Sequence, residues 1–214
     1  MSNSESFIDE VTEEVRRDQL YGLLRRYGWI GIAAVLLLVG GAAANEWMKA
    51  RAAAEAEATG DAILAAVEAD DPAQRLAALG AVEAEGDRAA LLALVTAAAI
   101  DDTAEADATL ALLADDTGVP TLYRDLARLK RALLPGVHEA GARLALLEPL
   151  TAPGAPFRVL AEEQIALAEI ERGEAQAALA RLEALLNDTE ASEALRRRAS
   201  QLIVALGGSL GEAS

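Results

Sequence analysis

The residues that could do chemistry are few, and their spacing matches no common catalytic pattern. His138 is the only histidine and lies beside Glu139 near a predicted helix start, and one imidazole does not complete a zinc site of the usual ligand set. The chain has no cysteine and no nucleophile-elbow, Walker-type or dinucleotide-binding motif. We therefore expect no catalytic residue, no bound metal and no cofactor, and predict that the protein is not an enzyme.

Charged clusters offer two further candidates for binding. Acidic pairs stand at three predicted helix junctions: Asp70 and Asp71, Asp101 and Asp102, and Asp115 and Asp116. Such pairs could bind calcium, but none has the loop spacing of an EF-hand, and helix capping with dipole compensation explains them better. The arginines at 196–198 are either a solvated helix face or, in so acidic a segment, a patch on which a partner docks.

An uncharged stretch, YGWIGIAAVLLLVGGAAAN at residues 27–45, lies between clusters of charged residues. In a helix that rises about 1.5 Å per residue, Trp29 and Trp47 stand roughly 27 Å apart, close to the thickness of a bilayer's hydrocarbon core. Each indole would then lie near a headgroup layer, with Leu36, Leu37 and Leu38 between them. The sequence predicts a transmembrane helix at residues 27–47.

Two other interpretations of this stretch are weaker. A secretory signal could be cut after Ala42-Ala43-Ala44, but it would be about 44 residues long with an acidic opening, whereas signals usually run about 15–30 residues with a basic start. A buried helix of a soluble domain normally carries a polar face, and this stretch has none. Whether the chain is ever cleaved after Ala44 stays open.

The distribution of charge predicts the topology. Four arginines precede the predicted span and two basic residues follow it: Arg16, Arg17, Arg25 and Arg26 before, Lys49 and Arg51 after. Basic residues favour the cytoplasmic side, so the N-terminus should be cytoplasmic. With the alanine-rich composition, this predicts a single-pass protein of the bacterial inner membrane with a periplasmic C-terminal domain.

The C-terminal domain is strongly acidic. The chain has 35 acidic and 19 basic residues, of which the arm at 1–26 holds six and four, so the rest of the chain has a net charge of about −14. Nucleic acid is a poor partner for such a charge.

Residues 1–26 are predicted to form a cytoplasmic amphipathic arm. Phe7, Ile8, Val11 and Val15 recur at helical spacing beside acidic and basic faces. This apolar stripe could lie along the membrane surface, dock on the cytoplasmic face of another membrane protein, or merely lead into the span.

Residues 48–214 are predicted to be all-α. No stretch alternates with period two, whereas apolar residues recur at helical spacing between turn signals. The predicted helices are 49–67, 72–85, 87–100, 102–114, 120–134, 137–150, 157–172, 174–187 and 190–206. Short turns between them predict eight or so antiparallel helices in this domain.

Internal similarity predicts helical-hairpin repeats. Placing Gly86 on Gly173 aligns LGAVEAEGDRAALLALVTAAAID with ALAEIERGEAQAALARLEALLND, apolar position on apolar position. A glycine at the inter-helix turn followed by Ala178 in the next helix resembles the tetratricopeptide pattern, in which a small residue lets paired helices approach closely. We predict a tetratricopeptide-like helical-hairpin solenoid in which Gly173, Ala178 and Leu182 contribute to repeat packing; the usual large aromatic residues are absent.

The layout resembles a known family. The arm FIDEVTEEVRRDQLYGLLRRYGWI, the single span and the distal segment PFRVLAEEQIALAEIERGEAQAALARLEALLNDTEASEALRRRASQLIVALGG are similar to the tetratricopeptide-like ancillary subunit of the Sec translocon, in particular its alphaproteobacterial branch. The middle, at 52–118, matches little beyond helical spacing. The resemblance implies an inner-membrane protein that associates with the translocon and whose periplasmic domain works with chaperones or emerging proteins, without catalytic residues.

Two function classes therefore stay open. One is a membrane-tethered interaction module that links the Sec channel to periplasmic chaperones or client proteins. The other is a structural accessory subunit of a different inner-membrane complex, respiratory or envelope, in which the span packs permanently on a larger partner. Both use the same architecture, and the sequence identifies neither the partner, the binding face nor the oligomeric state.

Overall fold

The computed structural model describes the backbone of residues 3–209 and the side chains of residues 25–209. Every regular element within 3–209 is a helix, which confirms the all-α prediction. The α-helices are α1 Asn3–Val67, α2 Pro72–Gly80, α3 Asp87–Ala99, α4 Thr103–Asp115, α5 Thr121–Leu133, α6 Ala140–Leu147, α7 Arg158–Glu171, α8 Ala175–Leu186 and α9 Glu193–Ala205. A short 3₁₀ helix, Glu148–Thr151, follows α6.

The chain divides into two compact units, Met1–Glu57 and Ala58–Ser214. The described part of the first unit is the N-terminal part of α1. In the second unit, each helix packs mainly on its neighbours in the chain, from α2 on α3 to α8 on α9, and α3 also contacts α5. Packing between consecutive helices is the pattern that the short predicted turns lead one to expect.

Side-chain caps explain where several helices begin. The Asp71 carboxylate accepts a hydrogen bond from the backbone N–H of Gln74 (2.8 Å), and Pro72 occupies the first helical position. Asp102 accepts from the N–H groups of two residues in the first turn of α4, each at 2.9 Å. Ser192 caps α9 in the same way at 3.2 Å. The aspartates at 71 and 102 therefore serve as helix caps.

Arginines satisfy carbonyls at the other ends of three helices. Arg75 donates to the carbonyl of Ala69 just after α1 (2.8 Å), and Arg128 donates to that of Ala114 in the last turn of α4 (3.2 Å). Arg196 likewise donates to the carbonyl of residue 188, after α8, at 2.8 Å. A helix leaves its last carbonyls without intrahelical partners, and a cation there also opposes the negative end of the dipole.

Two predicted helices differ most from those observed. The helix predicted at 72–85 ends at Gly80, because the chain turns there through 3₁₀-type hydrogen bonds and passes Gly86 at φ 58° before α3 begins. The helix predicted at 137–150 is α6 followed by the 3₁₀ segment. Pro149 lacks the backbone N–H that an α-helix requires and clashes with the carbonyl four residues earlier, which ends α6.

Alanine and leucine form the interfaces of the second unit. Around α7, α8 and α9 one buried cluster consists of alanines and leucines with a single isoleucine: Ala166, Ala178, Leu182, Leu185, Ala191, Leu195, Ala199 and Ile203. Alanine opposite leucine lets helix axes approach closely while still filling the interior. This arrangement accounts for a well-buried core in a segment almost without aromatic residues.

Candidate interaction surfaces

The apolar segment of α1 is almost wholly exposed. It lies within Arg25–Val67, the one candidate span among the described residues; its most apolar 18 residues have a mean hydropathy of 1.9, and none of that stretch is buried within the chain. Leu36, Leu37 and Leu38 are 65–77% exposed. This helix is long and apolar enough to span a membrane, and the absence of burial argues against the core helix of a soluble domain.

Both ends of this segment carry an aromatic ring next to an arginine. The guanidinium carbon of Arg26 lies 5.7 Å from the ring centroid of Tyr27, and that of Arg51 lies 5.9 Å from the ring of Trp47. Arg25 and Trp29 are also exposed. Amphipathic rings and basic groups at both ends are typical of membrane–water interfaces. The side chains of the other two arginines of the topology prediction, Arg16 and Arg17, lie outside the described residues.

The predicted repeat-packing residues lie at the hairpin of α7 and α8. Gly173 has φ +78°, and the N–H of Glu174 bonds to the carbonyl of Glu169 (2.8 Å), which closes α7 with a left-handed turn. Ala178 and Leu182 have no exposed surface and belong to the cluster shared by α7, α8 and α9.

A charged groove runs along the face of α7 and α8. It encloses about 330 Å³ over a floor of small residues, at Ala177, Ala180 and Ala184. Arg181 stands in its wall and bonds to Glu169, with a closest approach of 3.0 Å, and to Glu162. Burial acts to lower the pKa of Arg181, but the two carboxylates outweigh it and raise that pKa.

Arg158 also lines this groove and joins α7 to the turn after α8. Its guanidinium lies 2.7 Å from Asp188 and 2.6 Å from Glu190. The backbone N–H of Glu190 and the guanidinium of Arg158 hold the pKa of Asp188 below its ordinary value. The groove therefore presents fixed, mutually paired charges, which suit a structural role better than capture of a strongly charged ligand.

The arginines at 196–198 are occupied within the chain, rather than forming a free basic patch. Arg198 makes two bonds to Glu163 of α7 (2.6 and 2.7 Å), and Arg196 caps the turn after α8. Arg197 pairs with Glu193 at 3.4 Å on the solvated face. Arg197 and Arg198 are exposed, as a solvated face predicts, whereas Arg196 is half-buried. No local pattern predicts that Arg198 reaches a carboxylate 35 residues away.

One cluster of charged side chains, around Asp107, is not predicted from the sequence. Asp107, in the middle of α4, accepts hydrogen bonds from Arg131 of α5 (2.8 and 3.2 Å) and lies 2.8 Å from Nε2 of His138. Arg131 chiefly, with His138, lowers the pKa of the Asp107 carboxyl. The partners of Asp107 lie 24 and 31 residues away along the chain, so local sequence spacing does not predict these contacts. The cluster links α4 to α5 through Arg131 and to the segment between α5 and α6 through His138.

Within residues 25–209, no three acidic or histidine side chains gather as metal ligands would. The chain matches no known protein family, no curated protein and no solved structure. Two kinds of surface therefore indicate function: an exposed apolar helix in the first unit, and grooves between well-packed helices in the second.

Proposed function

We propose that this chain is a membrane-anchored protein-interaction module. The apolar segment of α1 crosses a bacterial inner membrane with the N-terminus in the cytoplasm, and the helices from 58 onward form a tetratricopeptide-like solenoid in the periplasm. Through its resemblance to the ancillary subunit of the Sec translocon, we infer that the arm and span attach to that channel. The solenoid then binds periplasmic chaperones or emerging proteins.

The observation that carries the proposal is the exposure of the apolar segment. Burying apolar surface is worth roughly 25 cal/mol per Å², so three adjacent leucines left in water forgo several kcal/mol. A soluble protein rarely exposes so large a contiguous apolar surface, whereas a lipid environment covers it at no cost. A helix also satisfies its backbone hydrogen bonds internally, as the bilayer demands.

The second unit supports the interaction role. Helices that pack mainly on their chain neighbours leave grooves between successive hairpins, and solenoids bind partners along such surfaces. Ion pairs of Arg181 on α8 and Arg198 on α9 with carboxylates of α7 hold these three helices in fixed positions. Binding to a preformed surface costs less ordering entropy than binding to a flexible one.

A structural accessory subunit of another membrane complex is the second candidate. Gly31, Gly40 and Gly41 lie on the apolar segment, and a Cβ added at any of them would meet nothing within 4 Å. These open small residues allow a neighbouring transmembrane helix to approach closely, which would favour permanent packing on a larger partner. In that case the solenoid would only contact the larger membrane complex and would bind no soluble partner.

Affinity purification of the full chain in mild detergent, followed by identification of partners, separates the two candidates. We expect the translocon together with soluble periplasmic proteins. A matched chain in which residues 1–51 are replaced by an unrelated N-in anchor should lose the translocon and keep the soluble partners. Recovery of a respiratory or envelope complex without soluble partners would favour the accessory subunit. Full retention of the translocon by the swapped chain would contradict attachment through the arm and span.

A further inference from the structure

A second groove, between α3 and α5, differs from the charged groove because its walls are apolar. It encloses about 220 Å³, and its lining residues come from three helices and one cap: Leu94, Ala97 and Ala98 of α3, Leu110 of α4, Lys130 and Leu133 of α5, and Leu134 after it. Each outer wall places its residues at i, i+3 and i+4, so each presents one helical face to the groove.

These walls are only partly open to solvent. Leu133 is 50% exposed and Ala98 is exposed as well, whereas Leu94, Ala97 and Leu110 are buried. Leu91, three residues before Leu94, extends the α3 wall by one turn and is 49% exposed. Two apolar helical faces side by side form the kind of groove into which the apolar ridge of a third helix fits.

The groove contains an unusual cation. Lys130 is the only lysine after Lys49 in the sequence and is half-buried at the rim. Among the described residues from 58 to 209, every arginine has a hydrogen-bond or ion-pair partner, whereas the Lys130 ammonium has none. A charge held against apolar surface is stabilised when a carboxylate pairs with it.

We propose that the α3–α5 groove docks an amphipathic helix of a soluble partner protein. The helix inserts one large apolar side chain between Leu94 and Leu133 and places a carboxylate, one turn away, against Lys130. The volume fits one or two side chains rather than a whole helix, so the partner lies across the rim. The inference rests on the proposed interaction function and adds the chemistry of the partner: a leucine-type anchor with an acidic neighbour.

The test uses the full chain in nanodiscs of zwitterionic lipid and a synthetic helical peptide. The peptide carries a stripe of leucines, a photoreactive leucine at its centre and a glutamate one turn away; its control has glutamine there. Labelling yield against peptide concentration gives the apparent affinity, and peptide mapping gives the labelled residues. We expect labelling on α3 and α5, with the glutamate peptide binding on the order of fivefold tighter, as for a partly exposed ion pair.

Two substitutions with a matched control complete the test. In Lys130→Met the two peptides should bind equally, and in Leu133→Asp both should bind about tenfold more weakly, because a charge enters the apolar wall. Leu112→Asp, at a position 77% exposed on α4 and outside the groove, should change nothing. Circular dichroism of each variant checks that the helices persist.

The inference would be overturned if the two peptides bound the unsubstituted chain with equal affinity, or if the label mapped away from α3 and α5. It would also be overturned if Leu112→Asp and Leu133→Asp changed the peptide affinity equally, or if the label joined two copies of this chain. Capture of soluble partners at unchanged yield by the Lys130→Met, Leu133→Asp double variant would reject this groove while sparing the interaction function. Specific peptide labelling without any captured soluble partner would count against the function and not against the groove.

Discussion

The ion pair of Glu163 and Arg198 links α7 to α9, and its loss should lower the stability of the second unit. The Glu163 side chain is 6% exposed, and its two oxygens accept hydrogen bonds from Arg198 at 2.6 and 2.7 Å. Arg198→Met keeps the aliphatic stem but leaves this carboxylate buried without its partner. Arg197→Met is the matched control, since Arg197 and its partner Glu193 are 69% and 86% exposed.

The magnitudes of the two changes should differ clearly. Hydrogen bonds to a charged group contribute about 1.5–3 kcal/mol, and because Arg198 is itself 51% exposed we take the low part of that range, about 2 kcal/mol. For Arg197→Met we expect at most about 0.5 kcal/mol. In a domain of this size 1 kcal/mol shifts the unfolding midpoint by about 2–4 °C, so the two variants should differ by roughly 3–8 °C.

Thermal unfolding followed by circular dichroism, with the full chain in detergent micelles, measures both midpoints. Combining Arg198→Met with Glu163→Gln should restore part of the loss, because the uncompensated charge is then removed. Equal midpoints for Arg198→Met and Arg197→Met would show that water or another group satisfies Glu163, and would refute the assigned role.

Three further outcomes are expected. Asp107→Asn should lower the unfolding midpoint by about 2–4 °C at pH 7. The folded-state pKa of Asp107 lies below its ordinary 3.8, so its ion pair stabilises the fold above that pH and is lost as the pH falls. The difference in midpoint between the variant and the unsubstituted chain should therefore shrink towards pH 3, and a pH-independent difference would contradict the ion pair. Ala178→Trp should cost about 1–3 kcal/mol or more by overpacking a site with no exposed surface, and an unchanged midpoint would mean that the contact is loose. A reporter fused after Ser214 that folds only under oxidising conditions should be active, whereas activity confined to the opposite fusion, at the N-terminus, would reverse the predicted topology.

The sequence predicted the helices well because their signals are local. Asp71 before Pro72, Asp102, and the glycine at 173 each set a helix end within a few residues, and the structure places caps or a left-handed turn at all three. The largest errors are at α2, which ends at Gly80 rather than at 85, and at α6, which begins at Ala140 rather than at 137 and ends before Pro149.

The ion pairs and the grooves could not be predicted in the same way. Arg198 meets Glu163, and Asp107 meets Arg131, across separations that only the packing of whole helices determines. By sequence position alone, Lys130 is an ordinary basic residue in the last turn of α5, where it opposes the helix dipole. Only the positions of the carboxylates in the described part of the folded chain reveal that none of them pairs with it.

The most direct test of membrane anchoring is the intact mass of the chain in membranes washed at alkaline pH. We expect the protein to stay in the washed membrane with residues 1–44 still attached. A Leu37→Arg variant, which places a charge at the centre of the span, should appear increasingly in the wash, because such a charge costs about 2.5–3.5 kcal/mol in the bilayer. A soluble chain that begins at Asn45, or release of the unsubstituted chain by the wash, would contradict the anchor on which the proposed function depends.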